Sequence, residues 1–145
     1  MRELFWYYQI MKLIIFTDGA SRGNPGPASY GFTISNGSGK LLHEEGCYIG
    51  QTTNNVAEYT AVLKALEWVR KNLNTRDLEI NLFADSKLVA EQLSGRYKIK
   101  AAHLKPIIEQ IKILGIKLGG VFYTHVPRGK NTVADSLANK ALDSV

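Results

Sequence analysis

Apolar and polar positions repeat along this chain with two periods, and the changes from one period to the other divide it into elements. Leu13-Ile14-Ile15-Phe16 is a continuous apolar run, the pattern of a central strand covered on both faces. Asp18 follows it at once, with Gly19, Gly23 and Gly26 allowing tight backbone geometry. After the Pro25-Gly26-Pro27 turn, residues 28–35 alternate through Tyr30, Phe32 and Ile34 as a second strand. Asn36-Gly37-Ser38-Gly39 is a hairpin signal, and residues 41–50 form the third strand. Connections this short join only antiparallel neighbours.

From residue 54 the period becomes helical. Val56, Tyr59, Val62, Leu63, Leu66, Val69 and Leu73 make one stripe, while Ala57, Ala61, Ala65 and Trp68 occupy the other side, so this helix is apolar nearly all round and buried. Asn54 or Asn55 is placed to cap it. Glu58 lies at the margin of the stripe, in what reads as the first turn. Leu78, Ile80, Leu82 and Ala84 then alternate through a fourth strand, with Asp85 at its C-terminal end and a short helix over residues 86–93. Ser94-Gly95 breaks the chain. A longer helix around Leu104, Ile107, Ile108, Ile111 and Leu114 is expected to stop at Gly115. Residues 120–126 read as a fifth strand ended by Pro127. Ala134, Leu137, Ala138, Ala141 and Leu142 mark a terminal helix with Asp135 in its first turn.

These elements make an α/β fold with a five-stranded mixed sheet, three antiparallel strands followed by two further strands, and helices on both faces. At 145 residues and 45% hydrophobic content the chain fits one domain with a real core. Residues 11–145 read as that domain, and residues 1–10, with the aromatic cluster Phe5-Trp6-Tyr7-Tyr8, as an N-terminal extension of unknown role. No apolar run approaches the ~20 residues of a membrane span, and no cleavage signal follows the extension. The one cysteine, Cys47, reads as a small buried hydrophobe and fits a reducing, cytoplasmic setting.

Charge changes the picture once position is considered. Lys and Arg number 18 against 13 Asp and Glu, a net +5, which favours polyanionic partners. Four of the acids stand apart from the rest. Asp18 and Asp85 end core strands, and Glu58 and Asp135 enter helices, each beside apolar sequence, so all four are expected to converge at one edge of the sheet beyond strand C-termini. Clustered carboxylates repel one another unless a cation intervenes, and oxygen ligands select hard ions such as Mg²⁺ or Mn²⁺.

The order TDGASRGNPGPASYG, TTNNVAEYTA, FADSKLV and HVPRGKNTVADSLAN closely resembles type 1 ribonuclease H, over residues 12–142. The resemblance implies the ribonuclease H-like fold and an endonuclease that cuts the RNA strand of RNA/DNA hybrids with two Mg²⁺ ions, Mn²⁺ being a substitute. It implies 5′-phosphate and 3′-hydroxyl products. Matched residue by residue, the family's catalytic metal ligands fall on Asp18, Glu58, Asp85 and Asp135. Asn24, Asn54, Asn55, Ser86 and Asn131 match substrate-contacting positions. The assisting residue is Arg128, as in archaeal-like members, with His125 as the alternative. Double-stranded RNA stays open as a second substrate, and no obligate protein partner is evident.

Residues 94–104 are too short for the basic helix that many bacterial members carry, leaving Arg96, Lys98, Lys100 and Lys105 to replace part of its charge. Two other readings compete: a DNA-acting nuclease on the same fold, and a non-catalytic hybrid-binding module that keeps the fold without the chemistry. A fragment of a reverse transcriptase is a third, set against a start and end that read as self-contained.

Overall fold

Five strands build one sheet in the computed structural model, which describes residues 10–145. Strands β1 (Met11–Ser21), β2 (Gly26–Asn36) and β3 (Leu41–Thr52) form the antiparallel meander. Strand β4 (Leu78–Ala84) lies parallel to β1 on its other side, and β5 (Val121–His125) parallel to β4, giving the order β3-β2-β1-β4-β5. Parallel neighbours require crossovers, and the helices supply them. Helix α1 (Asn54–Asn72) connects β3 to β4, while α2 (Lys87–Leu93) and α3 (Lys105–Lys117) connect β4 to β5. Helix α4 (Thr132–Asp143) closes the chain.

The core lies between the sheet and α1. Leu13 and Ile15 of β1, Phe32 and Ile34 of β2, and Ile80 of β4 meet Tyr59, Val62, Leu66 and Val69 of α1, with Ile108 and Ile111 of α3 behind them. Each such side chain, fully buried, contributes about 1.5–3 kcal/mol. Tyr59 keeps its hydroxyl satisfied inside this core by donating to Gln92 Oε1 of α2. Among the described residues α4 alone covers the other face of the sheet, burying Ala134, Ala138 and Leu142.

That asymmetry corrects one expectation. The run from Leu13 to Phe16 is not covered equally on both sides, since Leu13 and Ile15 are sealed while Ile14 and Phe16 stay half-exposed on the α4 side. Helix α4 packs on β1, β2 and β3, which leaves Phe16 stacked on Phe83 at 5.1 Å instead of on a helix.

Other boundaries move for local reasons. The cap of α1 is Thr53, whose side-chain oxygen accepts from Val56 N–H at 3.2 Å, so Asn54 and Asn55 are free of that duty. Glu58 consequently sits a full turn inside α1, not in its first turn. Gly115 does not stop α3, because the core contacts of Leu114 and Leu118 carry the helix on to Lys117. The stop comes at Gly119 and Gly120, both at positive φ. Strand β5 is one residue shorter at each end than its apolar pattern suggested. Cys47 is exposed on the edge strand β3, not buried. The aromatic cluster of the extension lies outside the described residues.

Candidate active site

Each acidic position is set by a different element, and close backbone packing draws the elements together. Asp18 follows the buried half of β1 and is itself only 4% exposed. Its neighbour Gly19 lies against α1 so closely that a Cβ there would stand 2.4 Å from the Glu58 backbone nitrogen. Only glycine permits that approach, and it is what brings Glu58 beside Asp18. The same device seats α4. Asp18 pairs across the sheet with Gly31, and Gly31 with Gly46, and a Cβ on either glycine would meet the α4 backbone at 2.4 Å. The bare row lets α4 lie directly on the sheet with Asp135 next to the end of β1.

Asp85 follows β4, one strand over, and Ser86 starts α2 behind it by accepting from Val89 N–H at 3.3 Å. Asp18, Glu58 and Asp85 offer one carboxylate oxygen each within 4.8 Å of one another. Asp135 joins Asp18 and Glu58 in the wall of a cleft of about 260 Å³, together with Asn54, Asn55, Ser86, Arg128 and Asn139.

The electrostatics follow from this crowding. Burial, then the charges of Glu58 and Asp85 and the nearby Asp135, push the Asp18 carboxyl from 3.8 up to about 9. Burial and Asp85 push Glu58 from 4.5 up to about 8, against the opposing pull of Arg128 and the Gly19 N–H. That N–H donates to Asp18 Oδ1 at 3.0 Å. Three closely set carboxyls with too little positive charge around them hold protons unless a cation replaces those protons. The donor set is all oxygen, with no sulfur or imidazole among the cleft residues, which fits a hard divalent ion such as Mg²⁺ or Mn²⁺ and not zinc.

The two candidates for the assisting residue lie in different places. Arg128 opens a single 3₁₀ turn, Arg128–Lys130, and faces the cleft. His125 ends β5 in register with Ala84 and is not among the cleft residues.

The amide residues divide in the same way. Asn54 and Asn55 line the cleft. Asn24 is exposed but committed, its Oδ1 accepting from Asn54 N–H at 3.0 Å, so it fastens the β1–β2 turn to the start of α1. Asn131 is not among the cleft residues. It is 1% exposed, its Nδ2 donates to Thr17 O at 2.8 Å, and it borders a separate hollow between the start of α4 and the sheet. It therefore ties the start of α4 to the residue before Asp18. Neither Asn131 nor Asn54 nor Asn55 makes a side-chain cap bond. Among the basic residues of the shortened loop, Arg96 is held by Glu91 at 2.5 Å, whereas Lys98, Lys100 and Lys105 remain exposed.

The sequence pattern alone did not single out Asn139, whose Nδ2 donates to the Asp135 carbonyl at 2.9 Å and to its Oδ1 at 3.1 Å. Its spacing of four from Asp135 on a helix was the available signal. Gly31 and Gly46 carried no local signal, since each is explained only by a helix that arrives from the far end of the chain.

A family model described as "Reverse transcriptase-like" matches residues 16–141. A bifunctional protein of Mycobacterium tuberculosis is 43% identical over 135 residues, covering 92% of this chain, which spans 36% of that protein's length. Ribonuclease H of Ruthia magnifica is 34% identical over 92% of this chain and 97% of its own. The solved structure of LC11-RNase H1 in complex with an RNA/DNA hybrid superposes with a TM-score of 0.86 at 42% identity, covering 91% of this chain and 97% of the other.

Proposed function

This chain belongs to the type 1 ribonuclease H family, and from that premise we propose that it hydrolyses the RNA strand of RNA/DNA hybrids in the cleft formed by Asp18, Glu58, Asp85 and Asp135. The observation that carries this reading is the approach of Asp18, Glu58 and Asp85 to within 4.8 Å, from three separate elements, against their own repulsion. Divalent cations, two Mg²⁺ or Mn²⁺ ions held by the four carboxylates, would supply an activated water and neutralise charge on the departing oxygen. The bond made is water oxygen to phosphorus and the bond broken is phosphorus to O3′, leaving a 5′-phosphate and, once O3′ takes a proton, a 3′-hydroxyl.

The chain's own groups orient that reaction. Asn54, Asn55 and Ser86 line the cleft rim, where amides and a hydroxyl can grip sugar and phosphate oxygens without reading sequence. Glu58 and the two asparagines would contact a ribose 2′-hydroxyl, the group that distinguishes RNA from DNA. Arg128 presents paired donors to a phosphate. Exposed Lys98, Lys100 and Lys105 offer added charge toward a backbone, so affinity falls with salt. Among the described residues no helix is long and apolar enough to cross a membrane, and a cytoplasmic place agrees with the free, exposed thiol of Cys47.

Labelled RNA/DNA, RNA/RNA and DNA/DNA duplexes, each incubated with Mg²⁺, Mn²⁺ or chelator, test the reading. Cutting confined to RNA, requiring a metal and strongest in the hybrid, is the expected result. Comparable cutting of DNA/DNA favours the DNA-acting alternative, and tight hybrid binding without cutting favours the binding module.

A further inference from the structure

Gln92 is a polar side chain with no local reason to be buried. It is 5% exposed and sits in α2 with the buried residues Val89, Ala90 and Leu93. A leucine there would leave no amide to satisfy. Both ends of the amide are nevertheless used. Oε1 accepts from the Tyr59 hydroxyl of α1, and Nε2 donates to the Lys98 carbonyl at 3.3 Å. Tyr59 is wholly buried and directly follows Glu58 in the chain. A line of polar contacts thus runs from the neighbour of a cleft carboxylate, through the core, to the loop after α2. A satisfied buried network of this kind fixes one arrangement of the groups it joins.

The loop it reaches has little else to place it. Residues 94–101 form neither helix nor strand. Gly95 N–H donates to Gln92 O at 3.1 Å, and the Arg96 and Tyr97 N–H groups both donate to Glu91 O, at 2.9 and 3.2 Å. The next hold on the chain is Gln92 at Lys98, followed by Ile99, which packs against the core. Lys98 and Lys100 flank Ile99 on the outward side of this extended stretch and are exposed.

The charge on this loop is free to bind. Lys98, Lys105 and Lys112 surround a hollow of about 590 Å³ between the loop and α3, with Glu109 the one acid among its lining residues. Lys98, Lys100, Lys105 and Lys112 form no ion pair with an acid among the described residues. Ser86, at the start of α2, lines the carboxylate cleft. At 1.5 Å of rise per residue the loop begins roughly 12 Å along α2 from it, about three to four base steps of a bound strand.

We propose that Gln92 is a positioning residue for hybrid binding: braced by Tyr59, it holds the loop of residues 94–101 at a fixed distance from the cleft, so that Lys98 and Lys100 meet the phosphates already in place. The proposal rests on the reading of the cleft given above, since it takes the RNA/DNA hybrid as the ligand. Cations placed beforehand lose less freedom on binding than lysines on a free loop. The brace therefore acts on affinity and not on the chemical step.

Anisotropy of a fluorescein-labelled RNA/DNA hybrid, in chelator and from about 50 to 200 mM salt, tests this without cleavage. Gln92→Leu removes both bonds and keeps the site filled. It should weaken binding by about tenfold and lower the slope of log Kd against log salt by about 2, the share of two phosphate contacts. Tyr59→Phe removes only the hydroxyl and should shift both quantities the same way by less, which covers the case in which Gln92→Leu does not fold. Lys98→Ala with Lys100→Ala should match Gln92→Leu, and adding Gln92→Leu to that pair should weaken binding no further. In steady-state cleavage with Mg²⁺, the Gln92→Leu effect should appear in KM, with kcat within about twofold of wild type.

Binding and salt slope equal to wild type in the folded variants overturn the proposal, even where melting falls, and leave the Tyr59–Gln92 pair as core structure. A fall in kcat at unaltered KM overturns it too. Wild type that binds no hybrid refutes the reading of the cleft along with it, whereas wild type and Gln92→Leu binding alike refute this proposal alone.

Discussion

Replacing Asp18 with asparagine is expected to destroy cleavage while making the metal-free protein more stable. The carboxyl's pKa rises from 3.8 to about 9 in the fold, so in chelator the native state binds a proton there that the unfolded chain has released. A group raised in this way contributes its full stability below about pH 4 and loses it progressively as pH climbs through about 9. At pH 7 the loss is 1.36 kcal/mol for each pH unit above 3.8, an upper bound of about 4 kcal/mol. Glu58 and Asp85 share the repulsion and remain, so one substitution relieves part of it, about 1–3 kcal/mol. For a domain of this size that raises Tm by roughly 3–10 °C. Asparagine keeps the volume and can still accept the Gly19 N–H. Thermal melts of both proteins in chelator from pH 5 to 9 are the assay, and the gap between them should widen with pH. A gap that is absent, reversed or independent of pH would refute the reasoning, because the crowding would then carry no strain for a cation to relieve.

Arg128→Ala is expected to slow turnover by roughly one to two orders of magnitude, as for loss of one positioned charged group, and His125→Ala to do little. The reverse ranking in single-turnover and steady-state assays would move the role to His125. Asn131→Ala should cost about 1–3 kcal/mol by stranding the Thr17 carbonyl and should lower kcat more than it raises KM, measured by denaturant melts and steady-state kinetics. Gly31→Ala should cost about 1–3 kcal/mol or more by overpacking α4 against β2, with a parallel fall in activity as Asp135 is pushed from Asp18; unchanged melting would show that α4 has room to shift.

Periodicity made the elements and their order legible, because alternation in β2 and β4 and the stripe in α1 each report a single buried face. The four acids were legible for a related reason: a charge directly after a core strand, or on a buried helix's margin, is poorly explained by packing. What escaped was whatever depended on a distant partner. Thr53 outcompeted Asn54 and Asn55 as the cap because Asn24 holds the Asn54 backbone, a contact thirty residues away in the chain. Asn131 reads locally as a cap or a ligand, and only the arrival of α4 beside β1 turns it into a buried clamp. The three-glycine approach of β1, β2 and β3 to α1 and α4 has no periodicity to betray it. Which of His125 and Arg128 lines the cleft depended on how the chain turns after β5, which motif spacing does not contain.

The most direct test of the account is the fate of an end-labelled RNA strand in an RNA/DNA hybrid, followed with wild type and Asp18→Asn in Mg²⁺ and in chelator. Wild type in Mg²⁺ should release fragments whose new 5′ ends carry a phosphate removable by phosphatase, while chelator and Asp18→Asn should each leave the strand intact. Cleavage that persists in chelator, or in Asp18→Asn at a near wild-type rate, would contradict the assignment of this cleft as a metal-dependent nuclease site.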